Sequence, residues 1–143
     1  MDHMEPIPLK QHLQNYGMKH CPIYNSLKLI GKKFTLHILR NMILLKQNKF
    51  SQFLRSVEGI NTKTLSARLQ EMEREGLIER KIVDRRPIQI EYTLTKKGKE
   101  LEPVLSLLAS FSMKFGPQVI FADKQPRTIK QVFGTEILSK VYD

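Results

Sequence analysis

Residues 51–98 read SQFLRSVEGINTKTLSARLQEMEREGLIERKIVDRRPIQIEYTLTKKG, and the spacing of their apolar residues changes part-way along. In the first half the spacing is helical. Ser51 can cap a short helix whose Phe53, Leu54 and Val57 face inward, with Gly59 ending it. Asn61 can cap a second helix, in which Leu65, Leu69 and Met72 form the apolar stripe and Gly76 the stop. From Ile78 onward the period falls to two. Ile78 and Ile82 alternate with charged neighbours, and Ile88, Ile90, Tyr92 and Leu94 alternate with Gln89, Glu91 and Thr93. Asp84-Arg85-Arg86-Pro87 forms a short basic link between these runs, with Pro87 where a second strand starts. Thr95 then caps a helix whose first turn is Lys96-Lys97-Gly98, and Pro103 is expected to kink that helix.

Upstream, Pro22 suits a first helical position, and Ile23, Leu27 and Ile30 follow at helical spacing up to Gly31. Phe34, Ile38, Met42 and Leu45, widened by Leu39 and Ile43, predict a strongly buried helix over roughly Lys33 to Lys46. Downstream, Ile129, Val132, Phe133, Ile137 and Val141 predict an amphipathic helix after Pro126. The two helices of the opening stretch could form an ordinary αα corner. Followed by a hairpin, they take the order of a winged helix-turn-helix. The predicted fold class is mainly α with a small β-hairpin (α+β), a winged helix-turn-helix with N- and C-terminal helical extensions. Residues 1–19 form an arm with a short helix, 20–114 the winged helix-turn-helix domain, and 115–143 a helical extension. That extension is read as a dimerisation element, because a small winged helix has little spare core to receive it.

Charge narrows the partner. The chain has 143 residues, 24 Lys+Arg against 14 Asp+Glu, and a formal net charge of +10. Residues 21–60 alone carry seven bases and one acid, Glu58. Such a surplus makes a polyanion the first partner to test, here double-stranded DNA. A single cysteine excludes an internal disulfide framework and a Cys-rich zinc module. The longest charge-free apolar run, Pro103 to Met113, is too short to cross a bilayer. No secretory leader is read in the first twenty residues. The expectation is a cytoplasmic protein with no membrane partner.

Taken together, the spaced elements resemble the HxlR-type regulators, relatives of the MarR-like winged-helix proteins. The matching pieces are Cys21-Pro22, Leu29-Ile30-Gly31-x-Lys33-Phe34, Leu36 through Ile38-Leu39-Arg40, and Phe50-x-x-Phe53-Leu54. They continue with Gly59-Ile60-x-x-Lys63-x-Leu65-x-x-Arg68-Leu69, Gly76-Leu77-Ile78, Tyr92-x-Leu94-Thr95-x-x-Gly98 and Leu101-x-Pro103-Val104-Leu105. Phe34 stands where that family usually carries Trp, a packing change. The resemblance covers about residues 20 to 113 and implies a dimeric transcription regulator.

With Leu65, Leu69 and Met72 inward, 100° per residue turns Lys63, Ser66, Ala67 and Gln70 outward. A major groove admits one helix, read by its N-terminal half. Thr62, Lys63, Thr64, Ser66, Ala67 and Gln70 are therefore the recognition-helix candidates. Lys63 is either a guanine donor or a phosphate contact. Arg85 and Arg86 are the wing candidates, for phosphates or the minor groove. Arg68, at the edge of the apolar stripe, is read as a brace. Cys21 precedes a helix start, where partial positive charge favours a thiolate. Some members of the family it resembles sense oxidants or electrophiles through a cysteine at this position. Two readings stay open: a redox or electrophile sensor, and a buried packing residue. His12, His20 and Cys21 are a poor metal set, since adjacent residues do not easily reach one ion. No metal and no cofactor is expected. No phosphate loop, HExxH or Gly-x-Ser-x-Gly is present, so no enzyme is expected. The function predicted is a sequence-specific homodimeric DNA-binding regulator on an inverted repeat, with a small-molecule or oxidant effector left open. The alternative is a nonspecific architectural DNA-binding protein.

Overall fold

The computed structural model describes residues 7–134. Along the chain come α1 (Leu9–Asn15), α2 (Pro22–Ile30), α3 (Thr35–Leu44), α4 (Phe50–Ser56) and α5 (Thr62–Arg74). Then follow β1 (Ile78–Arg85), β2 (Ile88–Leu94), α6 (Lys96–Lys99), α7 (Glu102–Phe115), α8 (Pro117–Ile120) and α9 (Ile129–Phe133). The helix-rich order with one antiparallel hairpin is that of a winged helix-turn-helix.

Its core lies where α3, α4, α5 and the base of the hairpin meet. Ile38, Leu39, Phe53, Leu65, Met72, Leu77 and Ile78 are fully buried there, and the Phe53 and Tyr92 rings pack edge-on at 6.2 Å. Apart from Leu77, in the link between α5 and β1, these side chains come from stripes spaced for one helix face or one strand face, so removal of apolar area from water drives these elements together.

Several local expectations are corrected. Ser51 does not cap α4. The cap position is Lys49, two residues earlier, and Gln52 reaches back so that its Oε1 accepts from the backbone N–H groups of Asn48 at 2.9 Å and Lys49 at 3.0 Å. The helix over Lys33 to Lys46 is shorter. Phe34 (φ 77°) and Lys46 (φ 55°) are left-handed at its two ends, and Leu45 is exposed, so the stripe ends at Met42 and Ile43. In α2 only Ile30 is buried, while Ile23 and Leu27 face outward.

Pro103 kinks nothing. The helix capped by Thr95 stops after one turn, and Pro103 lies in the first turn of a new helix, α7. That position has no intrahelical acceptor for an N–H, so a proline is tolerated. The basic link of the hairpin is also shorter than expected. Strand pairing runs out to Arg85↔Ile88, with an irregularity between Ile82 and Asp84, and only Arg86 and Pro87 remain in the turn. Ile82 and Ile88 stay exposed, because the hairpin projects beyond the helices that cover its base.

Of the tail, α9 packs on its own chain. Ile129 is buried against Met113, with Ala109, Phe121 and Phe133 around them. Arg127 lies 4.2 Å from the centroid of the Phe121 ring. Its guanidinium, followed by the backbone N–H of Gln125, holds the Asp123 carboxyl below its usual range. Ile137 and Val141 lie outside the described residues.

Candidate nucleic-acid interface

The site is built on α5. The side chain of Asn61 accepts from the N–H of Thr64 at 2.8 Å, which closes the helix N-terminus as expected from the sequence. Thr62, Lys63 and Gln70 are exposed; Thr64, Ser66 and Ala67 are half-buried. Lys63, Ala67 and Gln70 lie on the side of α5 away from its buried Leu65, Leu69 and Met72 stripe, Thr64 and Ser66 flank that stripe, and Thr62 is exposed at the helix start on the stripe's own face.

Arg68 is a brace. Its Nε donates to the carbonyl of Lys33 at 2.8 Å, and its Nη1 lies 3.4 Å from Glu71. Lys32 adds an ion pair to the same carboxylate at 3.3 Å. The link between α2 and α3 therefore grips the back of α5 and sets its angle.

The hairpin is fastened at its base. The N–H of Tyr92 donates to the carbonyl of Asn48 at 2.8 Å, and that of Thr95 to Leu77 at 3.0 Å. The Thr95 hydroxyl donates to the carbonyl of Gly76 and accepts from the N–H of Gly98. Gly98 is required here, since a Cβ would sit 2.1 Å from the Leu77 carbonyl oxygen. Gly76 turns the chain from α5 into β1 at φ 75°. At the far end Arg85 and Arg86 are exposed, and the Asp84 carboxylate accepts from both of their backbone N–H groups.

One supporting network was missed in the sequence. Asn41 is fully buried in α3, and its Nδ2 donates to Gln47 Oε1 at 3.0 Å. Gln47 Nε2 in turn donates to Ser56 at 2.8 Å. These bonds hold the loop before α4 where Asn48 can receive the hairpin. A polar residue within the apolar stripe of α3 was the available signal, because a buried amide must find partners. Arg80, the third residue of β1, was also missed. It lines a cleft between α5 and the hairpin with Ser66 and Gln70.

Cys21 precedes the first residue of α2 and is half-buried. Among the described residues, no group of three or more His, Cys, Asp or Glu is placed to hold a metal ion, and no helix is long and apolar enough to cross a membrane.

Residues 29–119 match the model of the HxlR-like helix-turn-helix family. The chain belongs to that family. The HTH-type transcriptional regulator sll1512 of Synechocystis is 36% identical over 85 residues, covering 59% of this chain and 62% of that protein. YdzF of Bacillus subtilis, also an HTH-type transcriptional regulator, is 33% identical over 98 residues, covering 68% and 90%. The solved structure of the redox regulator HypR in its oxidised form is 29% identical with a TM-score of 0.59, covering 64% of this chain and 94% of that one. The HxlR-like match begins within α2 and ends within α8, so α1 and α9 lie outside it.

Proposed function

We propose that this HxlR-like protein is a cytoplasmic transcription regulator that binds double-stranded DNA sequence-specifically, as a homodimer on an inverted repeat. The observation that carries the reading is the pairing of α5 with the hairpin. A capped helix with a polar outer face, braced through Arg68, stands beside a hairpin whose exposed tip carries two arginines. Thr62, Lys63, Thr64, Ser66, Ala67 and Gln70 enter the major groove, and Arg85 and Arg86 reach phosphates or the adjacent minor groove. Exposed Ile23, Tyr24 and Leu27 on α2 and Phe111 and Phe115 on α7 supply apolar surface for a second copy. Two such heads related by a dyad meet half-sites about 10 bp apart.

Selection of bound duplexes from a random pool tests this. An inverted repeat bound by a dimer supports it. Equal affinity for selected and random DNA instead leaves the architectural reading. Arg85→Ala and Arg86→Ala should weaken binding to selected and random duplexes alike. Each should flatten log K against log[salt] by about 0.9 per lost phosphate contact.

Cys21 is proposed as the input of an oxidant or electrophile signal. Its place at the start of α2, next to the exposed apolar face, supports this, as does the likeness to a redox regulator. One thiol per chain leaves alkylation, a mixed disulfide or a bond between subunits as the chemistry. Treatment with diamide or an aldehyde should change operator affinity in the native chain and not in Cys21→Ser. Unchanged affinity in both makes Cys21 a packing residue.

A further inference from the structure

We propose that Arg80 is a phosphate clamp, gripping the DNA strand that passes between α5 and the hairpin. The proposal rests on the DNA-binding reading above and adds the contact that sets the two reading elements astride one backbone. Major and minor grooves of B-DNA are separated by a single ridge of phosphodiesters. A protein with a helix in one groove and a hairpin tip in the next must therefore straddle that ridge.

What lies between the two elements here is a cleft of about 380 Å³. Ser66 and Gln70 line it from α5, and Arg80 and Tyr92, directly paired across the strands, line it from the hairpin. Arg80 is exposed. Its neighbours Glu79 and Lys81 point to the other face of the strand and pair with each other at 3.6 Å. Among the described residues, Arg80 itself has no ion pair. A guanidinium offers a planar fork of donors that matches phosphate oxygens, and Ser66 and Gln70 can donate from the facing wall. Glu73 is the one carboxylate in the lining and sits one turn past Gln70 on α5, so it repels a phosphate from that end.

The rival role for Arg80 is a structural partner of Glu73, and the two roles predict opposite signs. The experiment measures anisotropy of a fluorescein-labelled duplex of random sequence, over about 50 to 200 mM salt, with the native chain and with Arg80→Gln, Arg80→Lys and Glu73→Gln. Arg80→Gln should weaken binding about tenfold per protomer and lower the salt slope by about 0.9 per protomer. Arg80→Lys should keep the slope and lose part of the affinity, since the charge remains and the fork is gone. Glu73→Gln should tighten binding. Thermal melts of all three should stay near that of the native chain, because both side chains are exposed. Native affinity and slope in Arg80→Gln overturn the clamp while leaving the DNA reading intact. So does weaker binding in Glu73→Gln accompanied by a lower melting temperature in both variants. A native chain with no salt-dependent affinity for any duplex sinks the DNA reading, and the clamp with it.

Discussion

In α3, α4 and α5 the apolar stripes end in one shared core, where Ile38, Phe53 and Leu65 are each 0% exposed. In α2, α7 and α8 equally apolar side chains turn outward: Ile23 is 70% exposed, Phe111 66% and Val119 81%. The contrast is sharpest within α7, which carries two apolar stripes. Ala109 and Met113 face α9 on their own chain, while Leu107, Leu108, Phe111 and Phe115 face out. The helices α3, α4 and α5 thus close their apolar stripes within one chain, while Ile82, Val83 and Ile88 on the hairpin stay exposed. The outer helices leave a surface that a second copy covers under the proposed homodimer. Large apolar side chains exposed side by side, as the Phe111 and Phe115 rings are at 5.5 Å, point to an interaction surface more than scattered exposure does.

Substitutions can break this contrast. Phe53→Ala removes a fully buried ring from the shared core and should cost about 3–5 kcal/mol, read by chemical denaturation. A cost under about 1 kcal/mol, within the range of ordinary surface changes, denies that this core holds the fold. Phe111→Glu should leave the far-UV spectrum intact and shift sedimentation from dimer to monomer, with an interface loss of about 2–4 kcal/mol. A native dimer in that variant moves the contact elsewhere. Asn61→Ala should cost about 1 kcal/mol, because it frees the N–H of Thr64 while the core is untouched. Smallest of all, Ile23→Ser should change stability by at most about 0.5 kcal/mol at protein concentrations low enough to give monomers. A larger loss there shows that α2 is packed inside its own chain and removes it from the interface.

The difference between the two regions also explains what could be read from the residues alone. The cap at Asn61, the stripe of α5, the change of period at Ile78 and the cap at Thr95 all appear in the structure as expected. The outward face of α5 was legible for the same reason, since the buried stripe dictates its opposite. The interior of α2 was not. Ile23, Leu27 and Ile30 have the spacing of a buried stripe, but only Ile30 meets the core. Periodicity reports that a face is apolar and says nothing of whether the same chain covers it.

Local pattern thus determined the kind and order of the elements, because caps, breakers and periods act over about four residues along the chain. Tertiary structure decided everything that joins distant positions. Arg68 finds the Lys33 carbonyl 35 residues away, Tyr92 finds Asn48, and the buried amide of Asn41 finds Gln47. It also decided that the helix capped at Thr95 ends before Pro103 and a new one begins, and that Arg80 faces a cleft while its neighbours pair on the other side. Each of these depends on which surfaces meet. That is set by the fit of whole elements against one another and is not encoded in the spacing of residues within any one of them.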